Sequence, residues 1–442
     1  VDLQPNRHIV VIGAGLAGLA AGYALARRGH RITLLEAAPD LGGLASSVTI
    51  QGIPVERFYH FICRSDQVLV DLAHDLGLSD KLHWQPTRTA FFYHGRHYKF
   101  GRPLDLLRFA PVPFLQRIRF GLHILRSYYR SNWKWLDEIP AKAWLIENIG
   151  EEAYNVIWHP LLRVKFGDYD KQISAAWMWH RIWRVAQSRK SLFSREMFGY
   201  FEQGSATVIE ALVNRLRAQA NVTIQTGARV QPLEVREGRV TSVRVGDQGL
   251  PCDAVVSTVA LPTLERLLPG QTHPYFTNAR HIQYIGVVCL LLSLRASFSP
   301  NFWLNINDPQ IAFNGVIEQT NLNHHWQKAG LNVLYVPFYL PTTAPRYAAA
   351  DEALLAEYVP MLQRANPRFD KTWIKEWHVF RAPYAQAVCV THFRDLVPAH
   401  RSPLGGLYVT DSTQFYPEDR TLSAAIQQGQ RAAQAVLEDF AR

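Results

Sequence analysis

The sequence predicts an α/β chain in which a Rossmann-like dinucleotide-binding domain carries an inserted α+β substrate or cap domain. Three observations lead there. A glycine fingerprint between two short apolar runs opens the chain. An apolar run ending in Asp-Ser, followed by a long amphipathic segment, closes it. Between them lies a stretch of different composition, rich in arginine and aromatic residues.

The opening run Ile9-Val10-Val11-Ile12 is short and β-branched, as in a strand buried on both faces. Gly13, Gly15 and Gly18 follow at G-x-G-x-x-G spacing, and an Ala/Leu-rich helix runs on to about Arg28. Gly13 allows the tight turn, Gly15 lets backbone approach a pyrophosphate, and Gly18 lets the helix pack on the strand. Ala14, Leu16 and Ala17 complete a helix start whose free N–H groups and positive dipole end suit phosphate. A second run, Ile32 to Leu35, ends at Glu36 and Ala37. That is roughly twenty residues past the glycines, where a ribose-binding acid belongs. A lone fingerprint is weak evidence, but strand, glycines, helix, second strand and acid in order read as a dinucleotide site.

With 442 residues the chain can build more than one core, and 48% hydrophobic with 19% charged residues describes an ordered globular protein. The first strand begins within ten residues of Val1, so no signal peptide is expected. The longest apolar run, Ile285 to Leu294, falls well short of the roughly 20 residues that span a bilayer. Cys63, Cys252, Cys289 and Cys389 show neither metal spacing nor a C-x-x-C pair, so free buried thiols in a reducing compartment and no metal site are expected. The net charge of +10 suits nucleic acid, an anionic membrane or anionic substrates, and its location along the chain has to choose between them.

Ser46 to Glu56 reads as a hairpin turning near Gly52, and Phe58-Tyr59-His60-Phe61 sets a histidine among aromatics. A helix over Asp66 to Leu76 and strands near His83 and Phe91 complete the first segment. From Arg102 to Lys134, Arg102, Arg108, Arg117, Arg119, Arg126, Arg130 and Lys134 face a single acid, Asp105. Pro111 and Pro113 start a helix in which Phe114, Ile118, Leu122, Leu125 and Tyr129 share one apolar stripe. Arg119, Arg126 and Arg130 flank that stripe, and Gln116, His123 and Ser127 form a narrow polar face. Two readings stay open: a packed cap helix with solvated arginines, or a helix lying in an anionic membrane surface. Nucleic acid is not expected, because no recognition fold accompanies the patch.

A second basic and aromatic block, Trp158 to Lys190, holds Lys165-Phe166-Gly167 and a helix with Trp177, Trp179, His180, Arg181, Trp183 and Arg184. Then come a helix over Gly204 to Gln219, strands at Val222 to Ile224, Val230 to Val235 and Val240 to Val245, and a buried strand from Cys252 to Thr258. Between 271 and 394, strand-like runs (Ile282 to Leu294, Leu331 to Tyr339, Trp373 to Phe380) with a helix near Glu352 to Leu362 suggest an antiparallel sheet plus helix. Gly406 to Ser412 is the closing strand, ending in Asp411-Ser412. Pro417-Glu418-Asp419-Arg420-Thr421-Leu422 then leads into a helix reaching Phe440.

The second glycine turn, Gly42-Gly43 shortly after Glu36, together with the closing Asp-Ser and helix, resembles the flavoproteins that include amine oxidases, protoporphyrinogen oxidase, phytoene desaturases and UDP-galactopyranose mutase. Leu44, where many amine oxidases have arginine, points away from the strict amine-oxidase branch. The resemblance implies a GR2-type FAD-binding domain. Gly42, Gly43, Leu44 and Ala45 would continue along the pyrophosphate, and Val230 and Thr258 would belong to the middle FAD segment. Asp411 and Ser412 would lie at the ribityl or phosphate, and Thr421, Leu422 and Ala425 would aim a helix N-terminus at the flavin. It also implies three pocket residues, taken as candidate catalytic groups: His60 in an aromatic setting, Lys165 at a partial match to a mutase turn, and Tyr384 where an aromatic reaches the flavin. His60 and Tyr384 have a plain alternative in core packing, and Lys165 in a solvated basic helix anchored by its tryptophans. The expected segments are 1–95, 200–270 and 395–442 for the FAD domain, 96–199 for a largely helical cap and 271–394 for the substrate domain.

With one fingerprint and no second site for NAD(P), the expected chemistry is hydride transfer from substrate to flavin N5, with oxygen or a quinone as acceptor. The aromatic, arginine-rich cap suits an isoprenoid, tetrapyrrole or lipid-linked substrate. A mutase-like sugar-nucleotide isomerase without net redox change is the alternative. The expected location is cytoplasmic, with a peripheral contact at the inner face of an anionic membrane under the second reading of the cap helix.

Overall fold

The computed structural model describes residues 6–189 and 196–442. Lys190, the end of the second basic block, lies outside the described residues. A five-stranded parallel sheet runs in the order Leu407–Val409, Ala254–Ser257, His8–Ile12, Arg31–Leu35 and Val222–Gln225. Ile9, Val10 and Val11 are fully buried, as all-apolar runs in a sheet covered on both faces must be. The fingerprint helix, Leu16–Ala26, and the closing helix, Leu422–Phe440, pack on one face. The sheet draws on three distant segments of chain.

The second sheet has seven strands in the order Ile374–Ala387, Tyr284–Leu294, Val333–Leu340, Gly315–Glu318, Trp303–Asn307, Thr89–Tyr93 and Arg96–Phe100. Two sequence expectations change here. The strand near Phe91 leaves the nucleotide domain and pairs in parallel with Trp303–Asn307, so a boundary at 95/96 cuts a hairpin and the sheet is mixed rather than antiparallel. The strand at His83 also leaves it, forming a two-stranded ribbon of Leu82–Pro86 with Met197–Phe201. Both partners lie more than a hundred residues away, beyond the reach of local pattern. Further, Val230 makes only an isolated bridge to Val245, and the predicted strand there begins at Glu234.

Between the sheets lies a helical layer whose core is Trp144, Tyr154, Leu162, Phe166, Trp177 and Met178. The cap helix, Phe114–Tyr129, lies on its outside with its faces inverted relative to the usual amphipathic helix. Most of the predicted apolar stripe is exposed, with Phe114 62%, Leu122 48% and Tyr129 72% accessible, while Leu125 turns to the interior cavity. The predicted polar face turns inward, and His123 and Ser127 are buried. The reason is hydrogen bonding. Gln116 accepts from the Ala153 N–H at 2.8 Å, Trp179 donates to the Ser127 carbonyl at 3.1 Å, and the His123 ring meets Trp144 edge-on at 4.5 Å. Arg119, expected to be solvated, donates instead to the Asn148 and Glu147 carbonyls at a helix end. Eight of the nine exposed large hydrophobics among the described residues fall between Leu104 and Trp135. No helix among them is long and apolar enough to cross a membrane.

Cys63, Cys289 and Cys389 are buried and Cys252 is half-buried, all as free thiols. Burial pushes the Cys63 thiol up to about 12, so it stays protonated and inert near neutral pH.

Candidate functional site

A cavity of about 900 Å³ runs from the C-terminal ends of the parallel strands to the helical layer and the second sheet. Ligands of open parallel sheets lie at that end, where the loops leave the strands. One end of the cavity is almost bare of side chains. The fingerprint turn and the Gly42-Gly43 turn are bonded to each other, with the Gly42 N–H donating to the Ala14 carbonyl at 2.9 Å. At Gly43, φ is +58° and an added Cβ would stand 3.2 Å from the Gly15 Cα, so a side chain would fill the floor between the turns. Gly18 is needed for packing rather than contact, because its Cβ would lie 1.9 Å from the Gly13 carbonyl oxygen.

The Glu36 carboxylate accepts from the Ala14 and Ala38 N–H groups at 2.8 and 2.9 Å. Half-exposed on the cavity wall, it keeps lone pairs free to accept from a further hydroxyl. The Thr258 hydroxyl lies 3.0 Å from the Ile12 and Gly13 carbonyls and fastens the fingerprint turn to the neighbouring strand. At the far rim Thr421 caps the closing helix, accepting from the Ala424 N–H at 2.9 Å, and Leu422 and Ala425 face the cavity beside it. This helix end adds positive potential to the wall. Bare backbone, a half-exposed carboxylate and two helix N-termini fit an adenine dinucleotide with a redox ring.

The expected cofactor residues Gly13, Gly15, Leu16, Ala17, Glu36, Ala37, Gly42, Gly43, Leu44, Ala45, Val230, Thr258, Asp411, Ser412, Thr421, Leu422 and Ala425 all line this cavity. Ala14 and Gly18 lie behind it. Asp411 has a second occupation: its carboxylate accepts from the Thr413 N–H and the Tyr284 hydroxyl, both at 2.8 Å, and burial raises its pKa.

The three candidate catalytic residues also face the cavity, on different elements. Lys165, on the helix His159–Phe166, is only 4% exposed and sits over the rings of Trp177 at 4.8 Å and Tyr339 at 5.3 Å. Burial drives its pKa down to about 7, against the opposing pull of Asp419. His60 is pushed down to about 4 by burial and by Arg420, so it is a neutral ring at pH 7. Tyr384 meets Tyr284 edge-on at 5.7 Å, and its oxygen accepts from Arg266 at 3.3 Å.

Sequence reading missed the acid that holds Lys165. Asp419 bonds Arg181 at 2.7 Å and Lys165 at 3.4 Å, and Arg420 reaches the Tyr339 hydroxyl at 3.0 Å. Burial alone would raise the Asp419 carboxyl, but the charges of Lys165, Arg181 and Arg420 outweigh it and hold it well below the usual range. Three cations around one carboxylate leave this corner positive. The available signal was the Asp419-Arg420 pair just ahead of the Thr421 cap.

The opposite wall is apolar. Phe120, Ile124 and Leu125 of the cap helix reach it, with Ile157 and Leu161.

A family profile described as flavin containing amine oxidoreductase matches residues 16–437. The 15-cis-phytoene desaturase of an Oncidium hybrid cultivar is 21% identical over 99% of this chain and 79% of its own length. Among solved structures, reduced UDP-galactopyranose mutase superposes with a TM-score of 0.76 at 17% identity, covering 98% of this chain and 96% of the other. Cyclohexylamine oxidase from Brevibacterium oxydans IH-35A does so with a TM-score of 0.69 at 15% identity, covering 99% and 100%. At these identities the structural likeness concerns the fold.

Proposed function

This chain belongs to the flavin-containing amine oxidoreductases and is an FAD-dependent oxidoreductase, and on that premise we propose that it oxidises an amphipathic, largely hydrophobic substrate drawn from an anionic membrane surface. The substrate class is isoprenoid, tetrapyrrole or lipid-linked, with an anionic group at one end. One observation carries the reading: a single helix turns Phe114, Leu115, Ile118 and Leu122 outward and brings Phe120, Ile124 and Leu125 to the cavity wall. The same segment exposes Arg102, Arg108, Arg126 and Lys134, the charge an anionic lipid face attracts.

When bound, FAD supplies the two-electron acceptor. The protein's own work is placement. The paired glycine turns and Glu36 would hold its diphosphate and ribose end. The N-terminus of the closing helix favours negative charge on its side of the cavity. The apolar wall takes hydrocarbon and excludes water, and the Lys165–Arg181–Arg420 corner takes the anionic group. With a pKa near neutrality, Nζ of Lys165 can gain or lose a proton as substrate arrives. Oxygen or a quinone is the proposed final acceptor, at the cytoplasmic face of the membrane.

The positive corner also supports a second reading, a sugar-nucleotide isomerase gripping a diphosphate with no net electron transfer. Anaerobic titration of the yellow protein separates them. Bleaching of the flavin by polyprenyl-type or tetrapyrrole candidates supports the oxidoreductase. Turnover of a UDP-sugar only after dithionite reduction, without any acceptor, replaces it with the isomerase.

A further inference from the structure

Away from the cavity, three side chains from distant parts of the sequence converge. His83 lies on the strand Leu82–Pro86, Glu202 follows the strand Met197–Phe201, and His325 lies on the short helix His324–Lys328. Nε2 of His83 is 3.0 Å from Oε1 of Glu202, and Nε2 of His325 is 3.3 Å from the same oxygen. The two rings are 4.6 Å apart. We propose that His83, Glu202 and His325 form a binding site for a borderline transition-metal dication, zinc first among them.

The argument is one of geometry and donor type. Around tetrahedral zinc with bonds of about 2.0–2.1 Å, neighbouring ligand atoms stand about 3.3 Å apart, close to the two His–Glu separations here, and all three donors lie within 4.8 Å of one another. Two imidazoles and one carboxylate select zinc, cobalt or nickel over magnesium or calcium, which take oxygen. Each of the three side chains is about one-third exposed, which leaves room for water as a fourth ligand.

The donors are also held in place. In the ribbon His83 stands opposite Tyr200, so its side chain shares a face with that of Glu202, two residues on. Fully buried Asn323 donates to the Phe201 and Glu202 carbonyls at 3.1 and 3.2 Å, and its own oxygen accepts from the His325 N–H at 3.1 Å. The start of the His325 helix is thereby fixed to the backbone of Glu202. Tyr200 lies 3.4 Å from Nδ1 of His325, an outer contact of the kind that orients a ligating ring. None of the three ligands lines the cavity, so the ion's role is to staple the ribbon to the helix that follows Gly315–Glu318 of the second sheet, not to take part in the flavin reaction.

The test uses the intact flavoprotein. After dialysis against a chelator, equilibrium dialysis with buffered zinc chloride should load about one zinc per chain and raise the melting temperature. His325→Gln and Glu202→Gln should each weaken zinc binding at least tenfold while the flavin absorbance stays unchanged. His324→Ala, at the neighbouring residue, should bind as the parent does. Magnesium should neither bind nor compete. Equal zinc loading by the parent and a His83→Ala/His325→Ala variant that retains its flavin overturns the site, and so does a parent that takes up no zinc.

Discussion

The closing helix and the cap helix carry the same kind of pattern and put it to opposite use. In the closing helix Leu422, Ile426, Ala433 and Val436 line up and are buried against the fingerprint helix and the parallel sheet. In the cap helix Phe114, Ile118, Leu122 and Tyr129 line up as clearly, yet they face outward, while His123 and Ser127 are buried. Periodicity states which side chains share a face; it does not state what that face meets. The neighbours decide. The layer under the cap helix offers an amide N–H at Ala153, an indole N–H at Trp179 and carbonyls at Glu147 and Asn148, so the polar side of the helix is the one that fits inward.

The comparison breaks most readily at Ile426. Ile426→Asp places a carboxylate at a fully buried position and should cost about 3–5 kcal/mol, with loss of flavin, in denaturant titrations that also follow flavin absorbance. A tolerated Ile426→Asp would mean that the closing helix does not depend on its apolar face.

Next in size is the inward histidine of the cap helix. Burial pushes His123 down to about 4, below its unfolded value, so the folded protein binds this proton less well than the unfolded chain does. Its penalty is absent above about pH 6.5, grows as the pH falls toward 4 and is constant below. This group should remove up to about 3 kcal/mol of stability across that window. His123→Asn should flatten the fall. An unchanged slope in the variant would contradict a buried neutral ring.

The outward face gives a smaller and opposite result. Leu115→Glu with Leu122→Glu should shift stability by only about 0.5 kcal/mol, yet weaken sedimentation with phosphatidylglycerol-containing vesicles at least tenfold. A steep drop in melting temperature would show that these leucines support the fold instead. The smallest effect belongs to the exposed charges. Arg126→Ser with Lys134→Ser should weaken binding to anionic vesicles several-fold, leave binding to neutral ones unchanged and reduce the salt dependence.

What could be read from the sequence follows the distance over which each feature is made. The fingerprint, Glu36 and the Asp411 strand with its following helix are local, and glycine spacing or a buried run records each of them. The strand Thr89–Tyr93 earns its place from Trp303–Asn307, more than two hundred residues on, and nothing near Phe91 says so. The positive corner draws Lys165, Arg181, Asp419 and Arg420 from three separate elements. Of these, Lys165 and Arg181 stand in the basic block that the partial motif match marks, and Asp419 and Arg420 carry no such mark. The His83–Glu202–His325 cluster has no spacing to read at all, because two of its members are placed by ribbon pairing and the third by Asn323.

The three-segment origin of the parallel sheet also governs how the protein is made. Strands His8–Ile12 and Arg31–Leu35 emerge first from the ribosome, but their partners Val222–Gln225, Ala254–Ser257 and Leu407–Val409 emerge far later. Until then the early strands expose apolar surface and unpaired edges, the condition under which nascent chains associate wrongly and chaperones engage them. The helix N-terminus at Thr421 is synthesised later than any of these strands, so the far rim of the cavity forms well after the fingerprint turn at its other end.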